Sequence, residues 1–136
     1  TKLHDKVTIF EMIPQSELVE LYQDSDFCFF PSYQEMGFSR TPLEAMACGC
    51  IVISYGNEGS NEIIRHEQNG YLVEPGSVQQ VVNIIKGLLN SPKKYGHVIR
   101  NARREIEEFY SLEKYIDRIE ETIKLALNEY NIDPYL

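Results

Sequence analysis

The fold is decided by residues 27–54, which read FCFFPSYQEMGFSRTPLEAMACGCIVIS. Two apolar runs, Phe27–Phe30 and Ile51–Ser54, enclose a polar loop and a segment with helical punctuation. Strands that are apolar on both faces are typical of parallel sheets covered by helices. Because parallel neighbours need a crossover connection, the stretch predicts a strand, a helix and a second strand of one parallel sheet.

The helix of this unit is predicted over residues 41–48. Thr41 is the expected N-cap, Pro42 the first helical residue, and Glu44 the third, where it completes a capping box with Thr41. Gly49 ends the helix, because glycine readily adopts the left-handed conformation after a last turn. Glu44 therefore has a structural explanation that needs no ligand.

The rest of the chain repeats the alternation of strand and helix. Val7–Phe10 and Tyr71–Val73 predict two further strands, which makes four. Further helices are predicted at Ser16–Gln23, Ser60–Arg65, Ser77–Leu89, Pro92–Phe109 and Ser111–Tyr130. Ser16, Ser77 and Ser111 are the expected caps, and Gln80 lies in the first turn after Ser77. The tail over 131–136 is expected to be frayed. The pattern predicts an α/β fold, a Rossmann-like parallel sheet with flanking helices and a helical C-terminus, in a single domain over residues 1–136.

Two of these helices have an apolar stripe that should face the core. The stripe of the helix over 77–89 is Val78, Val81, Val82, Ile85 and Leu89, and that of the last helix is Tyr115, Ile116, Ile119, Ile123, Leu127 and Tyr130.

Composition narrows the class of protein. The chain has 136 residues, 43% of them hydrophobic, and a formal net charge of −8. That charge argues against nucleic-acid binding and disfavours an anionic membrane surface. No apolar run approaches the roughly 20 residues of a membrane span, and no signal sequence opens the chain. Cys28, Cys48 and Cys50 lie in apolar surroundings without zinc-site spacing, which favours core packing in a reduced, cytoplasmic setting.

The loop over 31–41 should lie at the carboxyl end of a strand, where open parallel sheets bind ligands. Gly37 permits close approach of the backbone, and free amides at the helix start favour phosphate. Carboxylates such as Glu35 and Glu44 accept hydrogen bonds from neutral hydroxyls. Together these groups predict a sugar nucleotide, with phosphate on amides and hydroxyls on carboxylates.

Four motifs in the same order resemble the C-terminal domain of the GT-B fold glycosyltransferases, in particular the retaining family 4 (glycosyl transferases group 1). The family's donor-binding loop is close to P-S-x-x-E-G-F-G-x-x-x-x-E-A-M-A-x-G. Matching residues are Pro31-Ser32, Gly37-Phe38, Glu44-Ala45-Met46-Ala47 and Gly49; Gly59 to Ile64; Asn69 to Gly76; and, upstream, Ile13-Pro14, Glu17-Leu18, Leu21-Tyr22 and Ser25-Asp26. The resemblance covers roughly residues 7–110.

The resemblance implies a role for each residue of the loop. Glu44 matches the glutamate that holds the donor ribose, and Arg40 and Thr41 lie where ribose or diphosphate would bind, although Arg40 could equally pair with a surface acid. Glu35, Gly37, Phe38 and Ser39 are the expected donor-sugar contacts, with Phe38 serving mainly in packing. The family's first glutamate lies eight residues before the second, yet Glu35 lies nine before Glu44. Either the loop bulges by one residue, which we expect beside Gly37, or the first carboxylate is absent.

The reaction implied by the resemblance is transfer of a glycosyl unit from a nucleoside diphosphate sugar of UDP or GDP type to an acceptor hydroxyl, with retention. No obligatory metal or other cofactor is implied, and the catalytic residue stays unassigned. The acceptor, a carbohydrate or a lipid-linked molecule in polysaccharide or glycolipid assembly, would be bound by an N-terminal domain that this chain lacks. We therefore expect a partial domain that is inactive alone, from a cytoplasmic enzyme that is peripheral at the inner membrane face.

Two other readings stay open. One keeps the fold but changes the chemistry, as in a phosphorylase, a sugar-nucleotide epimerase or a hydrolase. The other is a non-catalytic Rossmann-like binding or assembly module, which the offset of Glu35 favours.

Overall fold

The computed structural model describes residues 6–33 and 39–130. Its strands are β1 (Phe27–Phe30), β2 (Ile51–Tyr55) and β3 (Tyr71–Val73). Its helices are α1 (Gln15–Gln23), α2 (Arg40–Cys48), α3 (Glu58–Ile63), α4 (Val78–Asn90), α5 (Gly96–Glu105) and α6 (Leu112–Tyr130), with a 3-10 turn at Pro92–Tyr95 and a π turn at Ile106–Tyr110. The predicted α/β class with flanking helices and a helical C-terminus is confirmed. The predicted frayed tail, 131–136, lies outside the described residues.

The sheet has the order β1-β2-β3 and is parallel throughout. Phe27 pairs with Ile51, and Ile53 pairs with Tyr71, so the carboxyl ends of the strands lie at one edge. This register brings the loops that follow all three strands together.

The strand predicted at Val7–Phe10 is wrong, and the sheet within residues 6–33 and 39–130 has three strands rather than four. Val7, Ile9 and Phe10 are 60%, 85% and 53% exposed. A strand is stable only where a neighbour completes its hydrogen-bond ladder, and within the described chain β1 pairs with β2 alone. An apolar run without a partner strand therefore stays irregular.

The core has two layers, one on each face of the sheet. On one face Ile51, Ile53 and Tyr55 of β2 pack with β3 and with residues of α4 and α5. On the other face Val52 packs with Ala45 and Met46 of α2 and with residues at the end of α3. All five residues of β2 are buried, as expected for a strand of a parallel sheet that is covered on both faces.

Helix ends and faces differ from the predictions in three places. Helix α1 begins after Pro14, so Ser16 is not its cap. In α4 the buried residues are Val81 and Leu88, whereas Val78 and Leu89 are 70% and 60% exposed, so the predicted stripe is rotated. The helix predicted over 92–109 is divided into a 3-10 turn, α5 and a π turn. Gly96, a weak helix former, lies at the first boundary.

Helix α6 starts where the sequence predicted, and the Lys114 N–H donates to the Ser111 hydroxyl at 3.4 Å. Its expected inner stripe does not reach the core, since Tyr115, Ile116, Ile119 and Ile123 are 41–56% exposed. No helix among the described residues is long and apolar enough to cross a membrane.

Candidate functional site

The candidate site lies at the carboxyl edge of the sheet. Ser32 and Tyr33 follow β1, Gly56 and Asn57 follow β2, and Glu74 follows β3. Because the three strands are parallel and adjacent, their loops meet the first turns of α2 and α3 at this edge.

The first turn of α2 differs from the sequence prediction. Ser39, not Thr41, is the N-cap, and its hydroxyl accepts a hydrogen bond from the Thr41 N–H at 3.3 Å. Pro42 is then the third helical residue and Glu44 the fifth, so Glu44 cannot close a capping box. The predicted end is confirmed, with Gly49 left-handed at φ 97°.

This shift of the N-cap reduces the number of free backbone N–H groups that could bind a phosphate at the start of α2. The Thr41 N–H is already bonded to Ser39, and Pro42 has no N–H. Arg40, at the first helical position, is exposed and forms no ion pair within residues 6–33 and 39–130. A phosphate here would therefore depend more on Arg40 than on a row of amides.

The Glu44 carboxylate lies in a half-buried position beside α1. Burial raises the pKa of the Tyr22 phenol, and the negative charges of Cys28 and Glu44 add to the rise, while the Thr41 side chain lowers it through a hydrogen bond. No described residue donates a hydrogen bond to Glu44. A carboxylate in this position keeps its acceptor capacity for a ligand.

Asn57 connects the ends of β1 and α3. Its side-chain oxygen accepts the Ser60 N–H at 2.8 Å, and its side-chain amide donates to the Ser32 carbonyl at 2.9 Å. Sequence reasoning placed the helix start at Ser60 and missed Asn57. The signal was present, because an asparagine before Glu58 is a typical N-cap.

A buried hydroxyl pair supports the same corner. The hydroxyls of Ser54 and Ser60 lie 2.8 Å apart, and the Ser54 hydroxyl also lies 3.1 Å from the Phe30 carbonyl. Both serines are at most 1% exposed. These bonds fix the end of β1 relative to α3 before any ligand arrives.

Aromatic residues cover the end of β2. The rings of Tyr33 and Tyr55 meet edge to face, with centroids 4.9 Å apart, and Tyr55 also contacts Phe29. A hydrogen bond with Tyr55 raises the pKa of Tyr33. The Tyr33 hydroxyl lies 3.4 Å from the place that a Cβ on Gly76 would take, so Tyr33 reaches the turn after β3.

Beside this cluster is a shallow cavity of about 230 Å³ lined by Gly56, Leu72, Val73, Glu74, Pro75 and Gln80. Gln80, predicted only as a residue of the first helical turn, accepts the Glu74 N–H at 2.8 Å. The cavity and the tyrosines give the carboxyl edge a mixed polar and aromatic lining that the sequence did not predict.

The predicted site residues fall into two groups. Ser39, Arg40, Thr41 and Glu44 lie together on the first two turns of α2. Glu35, Gly37 and Phe38 lie outside the described residues, and the bulge expected beside Gly37 lies there too.

Within the described ranges, no group of three or more His, Cys, Asp or Glu residues could hold a metal ion. The three cysteines are free; Cys50 belongs to the core, and the partly buried Cys28 packs against it, as predicted for core packing. Cys50 is 1% exposed and its thiol donates to the Tyr22 carbonyl at 3.0 Å. Burial, with smaller contributions from Cys28, Cys48 and Asp26, raises the pKa of Cys50 to about 11.

Comparison with known proteins identifies the family of this chain. Residues 1–105 match the model of the family described as glycosyl transferases group 1. A D-inositol 3-phosphate glycosyltransferase of Rhodococcus jostii is 29% identical over 126 residues, which are 93% of this chain and 27% of that protein. The chain thus spans about a quarter of the length of this relative.

Solved structures agree with the fold. The Anabaena protein HepE in complex with UDP-glucose is similar with a TM-score of 0.72 and 28% identity, over 77% of this chain and 29% of that one. The C-terminal domain of LpcC, a glycosyl transferase group 1 family protein of Francisella tularensis, has a TM-score of 0.69 and 32% identity, over 76% of this chain and 53% of that one.

Proposed function

The chain belongs to the glycosyl transferases group 1 family, and on that premise we propose that it forms the donor-binding domain of a glycosyltransferase. The donor is a nucleoside diphosphate sugar of UDP or GDP type. Similarity to HepE, which was solved with UDP-glucose, supports a donor of this class.

One observation supports the proposal more than any other. Glu44 lies on the second turn of α2, past the positions where a carboxylate caps a helix, and no described residue donates a hydrogen bond to it. A half-buried carboxylate without a structural donor is suited to accept hydrogen bonds from two ribose hydroxyls.

The other residues of α2 have distinct roles in this proposal. Arg40 would contact the donor diphosphate through its guanidinium, which is exposed next to the helix start. Ser39 caps the helix and so positions Arg40, and Thr41 holds the Tyr22 phenol beside Glu44. Glu35, Gly37 and Phe38 stay predictions for the donor sugar.

The proposal extends to the whole enzyme. The reaction is transfer to an acceptor hydroxyl with retention, as in family 4, without an obligatory metal. The acceptor, carbohydrate or lipid-linked, binds to a separate N-terminal domain. Similarity to the C-terminal domain of LpcC supports this placement of the chain. Anomeric configuration of the product, read by NMR, tests retention in the longer enzyme.

Donor binding is tested by calorimetric titration of the chain with UDP, GDP and UDP-glucose. We expect a nucleoside diphosphate to bind, and Glu44→Ala to weaken it at least tenfold with an unchanged circular dichroism spectrum, since hydrogen bonds to a charged group contribute about 1.5–3 kcal/mol each. Glu121→Ala is the matched control, because Glu121 is an exposed carboxylate on α6, outside the loops of the candidate site.

Equal weakening by both variants would assign the effect to net charge rather than to Glu44. If no nucleotide binds at millimolar concentration, either to this chain or to a longer enzyme that includes it, the chain is an assembly module and the proposal is wrong.

A further inference from the structure

The charges of this chain are strongly segregated along the sequence. Residues 75–104 contain Lys86, Lys93, Lys94, Arg100, Arg103 and Arg104, and no Asp or Glu. The remaining 106 residues hold all 21 acidic side chains and 7 of the 13 Lys and Arg, a net charge of −14. The whole-chain charge of −8 therefore conceals a segment of +6.

The structure places part of this segment on one outward surface. In α5 the buried residues are Val98, Ala102 and Glu105, which share one side of the helix. Arg100 and Arg104 are exposed and lie on the opposite side, because each residue turns the helix by about 100°. The only acid of α5, Glu105, points inward and is 5% exposed.

Arg103 does not belong to this surface. Its guanidinium donates to the Ala47 carbonyl at 3.0 Å and to the Glu107 carboxylate at 2.9 Å. Exposed Lys93, in the turn before α5, completes the surface instead. His97 is left out, because its ring nitrogen lies 3.3 Å from the Glu67 carbonyl. We call Lys93, Arg100 and Arg104 the basic face.

An exposed apolar side chain lies at the corner of α4 and α5. Leu89 is 60% exposed four residues before Lys93, at the end of α4. Leu89 and Ile99 line the same hollow of about 460 Å³, so Leu89 lies beside the part of α5 that carries Ile99. Asp26 from the start of β1 also lines the hollow and is its one acidic residue.

We infer that the basic face, with Leu89 at its corner, binds the surface of an anionic membrane. Basic side chains are attracted to acidic headgroups, and a protruding leucine can enter the boundary between headgroups and acyl chains. The net charge predicted the opposite, but a planar surface meets one face of a protein, so local charge decides. The inference does not depend on the proposed donor site.

Nucleic acid is the competing anionic partner, and the surface fits it less well. Single strands are bound through exposed aromatic rings on which bases stack. The only aromatic residue within 75–104 is Tyr95, which packs against the core. An exposed aliphatic residue such as Leu89 contributes to a lipid interface and little to a phosphate backbone.

The test is cosedimentation of the chain with vesicles of phosphatidylcholine alone or with 30% phosphatidylserine. We expect binding only to the anionic vesicles, and weaker binding as salt increases. Arg100→Glu/Arg104→Glu should lower the partition coefficient about tenfold or more. Lys114→Glu/Lys124→Glu is the matched control, because it makes the same change of net charge on α6, where both lysines are exposed.

Two results with vesicles would overturn the inference. One is absence of binding to anionic vesicles at low salt. The other is an equal loss in both double variants, which would mean a diffuse charge effect. Leu89→Ser should weaken binding to vesicles and leave any binding to duplex DNA unchanged. If the chain bound DNA more tightly than vesicles, and Leu89→Ser did not change that binding, the basic face would be assigned to nucleic acid.

Discussion

The side-chain amide of Asn57 donates a hydrogen bond to the backbone carbonyl of Ser32 at 2.9 Å, which ties the end of β1 to the start of α3. The same side chain caps α3 through the Ser60 N–H. One residue thus connects two loops of the candidate site.

We expect Asn57→Ala to lower the free energy of unfolding by about 1–2 kcal/mol, because both the cap and the tie are lost. Asn57→Asp keeps the cap and loses only the donor to Ser32. Urea unfolding measures the first effect. Hydrogen exchange at Tyr33 and Tyr55 separates the two variants, and equal exchange in Asn57→Asp and the wild type would contradict a role for the tie.

A second connection joins the loop before β3 to α5. The Asn69 amide donates to Glu105 at 2.6 Å and to the Ile63 carbonyl at 3.0 Å, and its oxygen accepts the Arg65 N–H at 2.7 Å. Arg65 also forms an ion pair with Glu105. Asn69 and Glu105 are 1% and 5% exposed, so removal of either leaves buried groups without partners.

Glu105→Ala should therefore lower the free energy of unfolding by about 2–3 kcal/mol, and Asn69→Ala by a similar amount. Glu105→Gln, which can still accept from Asn69, should lose less. The matched control is Glu107→Ala, whose pair with Arg103 is exposed on both sides and should change stability by at most about 1 kcal/mol. Urea unfolding of the four variants checks the order.

Gly70 is required by close packing rather than by its backbone conformation. A Cβ at this position would lie 3.0 Å from Ile64 Cγ2 and 3.1 Å from the Val52 carbonyl oxygen of β2. Because the strand backbone cannot yield, we expect Gly70→Ala to cost about 1–3 kcal/mol in thermal or urea unfolding. At Gly56 the nearest atom to a Cβ is 3.6 Å away, so Gly56→Ala is the control and should be nearly neutral.

Local sequence determined much of this fold. The segments that form β1 and β2 are apolar on both faces, so each strand was predictable from its own residues. The end of α2 was predictable from Gly49, because glycine readily adopts the left-handed conformation of a helix end. Val7–Phe10 has the same composition as a strand but lacks a partner within the described chain. Strand formation depends on that partner, which local sequence does not reveal.

The candidate site was predictable in part for the same reason. Ser39, Arg40, Thr41 and Glu44 were expected together because they share one helix. The contact of Tyr33 with Tyr55 and that of Asn69 with Glu105 join residues 22 and 36 positions apart, and no local pattern predicts them. Thr41 was predicted as the N-cap because proline favours the first helical position, which would place Pro42 there. In the structure the helix begins two residues earlier, and Ser39 is the N-cap.

Whether Ser39 or Thr41 caps α2 can be measured through the stability of variants. Because the Ser39 hydroxyl accepts the Thr41 N–H, Ser39→Ala should lower the free energy of unfolding by about 1 kcal/mol. Thr41→Val keeps the N–H that Ser39 caps, so it should leave the cap intact, but it also removes the hydrogen bond between Thr41 and Tyr22. Tyr22→Phe removes that hydrogen bond alone and is the matched control. If Thr41→Val lost more stability than Tyr22→Phe and Ser39→Ala together, Thr41 would be the N-cap and Glu44 its capping partner.

Cys50 should make stability fall at alkaline pH. Burial raises its pKa to about 11 in the folded chain, above the 9.0 of an exposed thiol, so the folded state holds its proton more tightly than the unfolded state. The stabilisation is complete below about pH 9 and is lost as pH rises through 11, a change of the order of 2 kcal/mol. Urea unfolding at pH 8, 9.5 and 11 should show that the free energy of unfolding falls in the wild type. It should fall less in Cys50→Ser, where only the tyrosines that titrate in the same pH range contribute. Parallel slopes in the two proteins would mean that the thiol of Cys50 contributes nothing to the alkaline loss.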